Sequence, residues 1–162
     1  MVELVPTLLR QELARLAEDG QRMDGRGQWE GRDVSLEVDC LYNAEGSAKV
    51  VLGKTIVYAG VKFELRTPWP DRPTQGSLMC GAELRPVAHR KYEPGPPSPQ
   101  SIELGRVVDR GIRESGCIDM ESLCIVPGEK VWGIMIDIHV LSDGGNIFDA
   151  CGLAAIAALR TA

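Results

Sequence analysis

No apolar run in this 162-residue chain reaches the ~18 residues a membrane-spanning helix needs; Leu153–Leu159 with its flanks is the longest and falls short. The first residues, Met1-Val-Glu-Leu-Val-Pro6, lack the basic segment and apolar stretch of a secretory signal. The five cysteines, Cys40, Cys80, Cys117, Cys124 and Cys151, are odd in number and contain no Cys-x-x-Cys spacing. The two histidines, His89 and His139, stand far apart. A metal centre needs closely spaced ligand pairs, so no metal is expected, and the thiols read as small reduced core residues. There is no internal repeat and no low-complexity tract. With 44% hydrophobic and 25% charged residues the composition is globular, which excludes disorder as the main state. The expectation is a cytoplasmic, membrane-free protein of one domain, long enough to bury a core without staples.

Charge is uneven along the chain. The formal net charge is −5, from 18 Lys and Arg against 23 Asp and Glu. Residues 1–45 carry 5 positive and 10 negative charges, and residues 114–162 carry 2 and 7. Between them, residues 85–113 carry 6 positive (Arg85, Arg90, Lys91, Arg106, Arg110, Arg113) against 3 negative (Glu93, Glu103, Asp109). An acidic protein is a poor general binder of nucleic acid, because Lys and Arg supply that affinity. A confined phosphate-binding surface in residues 85–113 remains open to it.

The hydrophobic pattern predicts a helix from Leu4 to Leu16, with Leu8, Leu9, Leu13 and Leu16 on its apolar side and Gly20 as its stop. Ser35–Cys40, Ser47–Leu52, Thr55–Leu65 and Val131–Leu141 read as strands, with Leu78–Val87 as a further candidate. The second and third are joined by a tight turn at Gly53-Lys54. Pro68, Pro70 and Pro73 mark a loop outside any sheet interior, and Tyr92–Pro99 is a stiff proline-rich loop. Ser98-Pro99 supplies an N-cap and first position for a helix to about Ser115, ended by Gly116. Asn146–Leu159 is a small-residue helix, apolar on every side and therefore expected to be buried. Strands, helix, long strand and helix predict a two-layer α/β sandwich.

Three constellations carry possible chemistry. On the helix to Ser115, Leu104, Val107, Val108, Gly111 and Ile112 share one arc, and Arg106, Arg110 and Arg113 gather opposite. Such a row suits bidentate binding of successive phosphates; the alternative is a solvated face paired with Glu103, Asp109 and Glu114. The turn Asp143-Gly-Gly-Asn146 before the last helix resembles an anion cradle, but Asp143 and Asp149 have the wrong sign and Ile147 is apolar. A plain strand-to-helix turn is the alternative there. Asp137 and His139 fall on one face of a strand, as an acid–base pair or as a buried pair satisfying one another under the helices.

Arg22-Met-Asp-Gly-Arg26, Gly31-Arg-Asp33, Ala44-Glu-Gly-Ser-Ala48 and Leu52-Gly-Lys-Thr55 occur in an order and spacing similar to the RNase PH superfamily. Ser101–Ser115, Glu129-Lys-Val-Trp132, Asp137-Ile-His-Val140 and Asp143–Ala150 narrow the likeness. Together, over about residues 10–160, they resemble the non-catalytic RNase PH-type ring subunit of the archaeal exosome.

The resemblance implies an α+β, ribosomal protein S5 domain 2-like fold (RNase PH domain 1). An N-terminal helix would occupy residues 1–20 and the RNase PH-like domain residues 21–162, without the family's usual C-terminal portion. It implies a hexameric ring in which this subunit alternates with a catalytic RNase PH-type sister, under RNA-binding cap subunits, degrading single-stranded RNA 3′ to 5′ by phosphorolysis. Catalytic sisters place Gly, Ser or Thr, then Arg, where this chain has Gly145, Asn146 and Ile147; their Arg would bind the attacking phosphate. The apolar replacement argues against catalysis here, and no cofactor is implied. Arg106 and Arg110 match positions that face the neighbour's active site and contact RNA phosphates. The alternatives are an autonomous phosphate-dependent exoribonuclease and a purely structural S5-like scaffold. With the chain stopping at Ala162, the last helix is expected to expose an apolar patch and promote self-association.

Overall fold

Alternating side chains from residues 46 to 66 and 130 to 142 build one mixed sheet with helices on one face. The computed structural model describes the backbone of residues 5–162, and side chains from Thr7 onward. Two compact units are present, Met1–Asp33 and Val34–Ala162.

In the first unit α1 spans Val5–Glu18; Leu4, where the sequence pattern begins, lies outside the described residues. The helix ends in a Schellman arrangement, with Gly20 N–H donating to Ala17 O (3.1 Å) and Gln21 N–H to Leu16 O (2.8 Å). The Arg22–Arg26 turn that follows is held by side chains. Arg22 donates to Gln28 O (2.8 and 3.1 Å), and Arg26 to Asp24 (2.8 Å) and Glu30 O (2.6 Å).

The second unit contains β1 (Val34–Val38), β2 (Gly46–Leu52), β3 (Thr55–Arg66), β4 (Ser77–Leu84), α2 (Pro99–Ser115), β5 (Cys124–Val126), β6 (Lys130–Ser142) and α3 (Ile147–Leu159). The sheet order is β1-β2-β3-β6-β4, with β5 pairing onto β6. Only β4 and β6 are parallel; the other pairs are antiparallel. The parallel pair follows from the α2 crossover, since a hairpin cannot join parallel strands. β2 and β3 meet across the Gly53-Lys54 turn, with Leu52 opposite Thr55.

Several element ends differ from the sequence pattern by one or two residues, as at β1, which ends at Val38 rather than Cys40, and two differences go further. β4 ends at Leu84 rather than Val87, because Arg85–Ala88 closes a turn (Ala88 N–H to Arg85 O, 2.9 Å) and Pro86 has no N–H for a ladder. β5 was not anticipated: three residues give no readable alternation, and its pairing depends on the Val126–Lys130 turn.

One parity of the strands forms the core. Ala48, Val50, Val57, Ala59, Val61, Ile134, Ile136, Ile138 and Val140 pack beneath Leu104, Val108 and Ile112 of α2 and Ala150, Cys151, Ala154 and Ala158 of α3. The alanines let α3 lie close to β2 and β3, as dense packing requires. α3 is not buried all round, as its composition suggested: Phe148, Leu153 and Ile156 stay exposed on the side away from the sheet. No helix among the described residues is long and apolar enough to cross a membrane.

Candidate nucleic-acid interface

α2 starts and stops where its sequence dictates. Ser98 Oγ accepts from Ser101 N–H (3.2 Å), Pro99 occupies the first turn, and Gly116 adopts the left-handed conformation (φ 65°) that closes the helix. Its inner face is fastened to the β4 edge. Ser101 Oγ donates to Ala82 O, and Arg113 donates to Leu78 O (2.9 Å). At Gly105 a Cβ would come within 3.2 Å of Cys80 O, so a larger residue would have to push the helix or the β4 backbone aside by a few tenths of an ångström.

That close approach sets the rotation of the helix. The buried stripe is Ser101, Leu104, Gly105, Val108 and Ile112. Val107 and Gly111, expected within the apolar arc, are exposed instead. An open groove of about 560 Å³ follows the outer side, lined by Pro99, Ile102, Glu103, Arg106, Val107 and Arg110. Its apolar floor and paired guanidinium groups could not be told from a core stripe by periodicity alone.

The three arginines separate. Arg113 is bound to Asp109 (2.9 and 3.1 Å) as well as to Leu78 O, so the intramolecular pairing alternative holds for it. Hydrogen bonding to Asp109 raises its pKa, with partial burial acting in the opposite direction. Arg106 and Arg110 are exposed and form no hydrogen bond or ion pair among the described residues. Four residues apart, they stand about 6 Å apart along the helix axis on one side. Two unneutralised guanidinium groups in that relation are donors for two neighbouring anionic groups.

The Asp143–Asn146 turn is closed upon itself. Asp143 Oδ1 accepts from Gly145 N–H (2.9 Å), while Oδ2 accepts from Tyr92 Oη (2.6 Å) and Lys91 Nζ (2.7 Å). Gly144 N–H donates to Thr55 Oγ1 (3.0 Å), whose hydroxyl donates to Gly145 O (2.6 Å). Burial pushes the Asp143 carboxyl up, but the bonds from Lys91, Tyr92 and Gly145 outweigh it and bring it down to about 2. An internal carboxylate thus takes the amide and the cation that an external anion would need. Asn146 reaches Asp149 (2.8 Å), and Ile147 is buried in the core. The Asp143–Tyr92–Lys91 clamp was not visible in sequence, because the partners lie about fifty residues apart.

Asp137 and His139 do bond to each other (3.0 Å), but not under the helices. The helices cover Ile134, Ile136, Ile138 and Val140, so Asp137 and His139, of the other parity, lie on the opposite side of the sheet. There His139 also meets Glu83 of β4 at 3.4 Å. Among the described residues no group of three or more His, Cys, Asp or Glu is arranged to hold a metal ion.

Residues 30–162 match the model of the 3′ exoribonuclease family, domain 1. The chain belongs to this family. It is 52% identical over 161 residues to the exosome complex component Rrp42 of Methanosarcina acetivorans, covering 99% of this chain and 60% of that protein. The Rrp42 component of Thermococcus kodakarensis is 49% identical over 158 residues, covering 98% and 58%. Among solved structures, the Archaeoglobus fulgidus exosome with RNA bound to the active site superposes with a TM-score of 0.92 at 48% identity, covering 98% of this chain and 63% of that one. A rice Rrp46 structure shares the fold at 23% identity and a TM-score of 0.63. The chain therefore spans about three-fifths of the length of the relatives it matches. The RNase PH domain 1 fold expected from the sequence is the fold observed.

Proposed function

We propose that this chain is a non-catalytic RNase PH-type subunit of an archaeal-type exosome ring, alternating with a catalytic sister beneath RNA-binding cap subunits. In that ring Arg106 and Arg110 bind phosphates of single-stranded RNA on its way to the sister's active site. The reading rests on one observation: both guanidinium groups lie on one side of α2, one turn apart, without an internal carboxylate. Arg113, from the same segment, already has Asp109 and Leu78 O as partners and has no such role.

The absence of catalysis has its own support. Phosphorolysis requires a bound and aligned phosphate, since positioning and charge stabilisation supply most of the rate. At the turn where a catalytic sister would hold it, Asp143 occupies Gly145 N–H and Lys91, and Ile147 is packed in the core.

Labelled single-stranded RNA with inorganic phosphate and Mg²⁺ tests both parts. The chain alone should release no nucleoside diphosphate, and an equimolar mixture with the catalytic sister should release it. Arg106→Ala/Arg110→Ala should weaken RNA binding by the assembled complex and leave ring assembly intact. Each lost contact to a single strand removes about 0.7 from the slope of log affinity against log salt, so the double variant should be shallower by about 1.4. Unchanged affinity and degradation rate would overturn the RNA role, and release by the purified chain alone would overturn the non-catalytic one.

A further inference from the structure

The two edges of the sheet are treated differently. At the β4 edge α2 covers the outward carbonyls: Arg113 donates to Leu78 O, Ser101 to Ala82 O, and Gly105 lies over Cys80 O. Among the described residues no comparable hydrogen bond reaches the outer groups of β1. Val34, Leu36 and Val38 are 56%, 49% and 44% exposed, and no proline, bulge or lysine interrupts the strand. The charge on its other face, Glu37, is paired with Lys49 at 3.3 Å. An open apolar edge is the form that natural sheets usually avoid, because it templates pairing with another strand.

The polarity of the edge can be read from the ladder. Asp39 N–H donates to Ser47 O (2.9 Å) next to β1, so Glu37 and Ser35, of the same parity, pair with Lys49 and Val51 of β2. Leu36 and its neighbours Val34 and Val38 then direct their N–H and C=O groups away from the sheet. Their side chains share the face of Val50 and Ala48, their register partners in the core. The sequence Val34-Ser-Leu-Glu-Val38 is also self-complementary when reversed about Leu36. Antiparallel pairing with a second copy sets Leu36 against Leu36, Val34 against Val38 and Ser35 against Glu37. All apolar side chains then fall on one face, and no like charges oppose each other.

We infer that β1 is a homotypic docking edge: a second copy of this chain pairs with it antiparallel about a two-fold axis at Leu36, continuing the sheet through both molecules. Such an interface is isologous and closes at two copies, so it yields a dimer rather than a filament. The pairing is a property of this chain by itself and does not depend on the ring reading.

Sedimentation across a wide concentration range should show the mass doubling, and Leu36→Lys should hold the chain monomeric. A second measurement serves even if that variant folds poorly. In a Cys117→Ser background, which removes the exposed thiol, Leu36→Cys should cross-link to a covalent dimer under mild oxidation. Directly opposed hydrogen-bonded residues lie about 5.5 Å apart at Cα, within disulfide reach. Glu37→Cys, offset by two residues from its own copy, should cross-link at least tenfold more slowly. A chain that stays monomeric throughout would overturn the proposal. So would a dimer indifferent to Leu36→Lys, or Glu37→Cys cross-linking as fast as Leu36→Cys.

Discussion

At the scale of single residues, Asp143 is the group whose environment has the clearest energetic consequence. Its folded pKa of about 2 lies below the ordinary 3.8, so the folded state binds this proton less readily than the unfolded chain. The stabilisation is therefore complete above about pH 5 and is lost as pH falls through 4 toward 2. A displacement of that size corresponds to about 2 kcal/mol at neutral pH. Asp143→Asn should lower stability by about that amount at pH 7 and flatten the acid limb of a stability–pH profile between 4 and 2. Thermal melts of both proteins across that range check it; parallel profiles would show that the clamp does not carry the acid sensitivity. Tyr92→Phe, which removes one of the two side-chain donors to Asp143, should fall between them. The Asp143 turn was recognised from sequence as a position where cation and anion did not match. Its true partners came into view only with the fold, because Tyr92 and Lys91 reach it across 51 and 52 residues.

At the scale of elements, α2 shows how position within one helix changes the meaning of one residue type. Gly105 and Gly111 are both helical glycines, and each should cost about 1 kcal/mol relative to alanine on propensity alone. Gly105 faces β4, where a Cβ would sit 3.2 Å from Cys80 O and 3.4 Å from the amide nitrogen of Ala82. Gly111 faces open space with nothing within 4 Å. Gly111→Ala should therefore stabilise the protein by about 0.5–1 kcal/mol in denaturant titrations, whereas Gly105→Ala should destabilise it despite the gain in propensity. If both stabilise, the helix does not need this proximity to the sheet. The sequence made the limits of α2 legible, since Ser98, Pro99 and Gly116 are local signals with local causes. It did not make the rotation legible. An arc through Leu104, Val107, Val108, Gly111 and Ile112 is as apolar as the stripe that is buried, and contact with the β4 backbone at Gly105 decides between them. That rotation leaves Ile102 and Val107 beside Arg106 and Arg110, and it turns Arg113 toward Leu78.

At the scale of the whole molecule, the exposed apolar surface can be divided by what lies beneath it. Strand alternation made the sheet and its buried face readable, because period-two patterns specify a face directly. α3 offered no such pattern: with apolar residues at nearly every position, sequence alone could not show which side meets the strands. In the fold, Ala150, Cys151, Ala154, Ala155 and Ala158 are buried, while Phe148, Leu153 and Ile156 are not. The small side chains set the spacing to the sheet, and the large ones form a separate stripe outside it. Substitutions on the two sides should therefore diverge. Leu153→Gln removes exposed apolar surface, so it should leave the melting temperature within a few degrees and lower the fluorescence of a hydrophobic dye bound to the native protein. Ala154→Gln forces a long polar side chain into a fully buried position and should cost about 3 kcal/mol or more, from overpacking and an unpaired amide. Equal destabilisation by the two would mean that Leu153 belongs to the core and that the stripe is not a free surface. Dye binding unchanged by Leu153→Gln would move the exposed apolar area elsewhere, to Val34, Leu36 and Val38 on β1 or to Ile102 and Val107 beside the α2 groove.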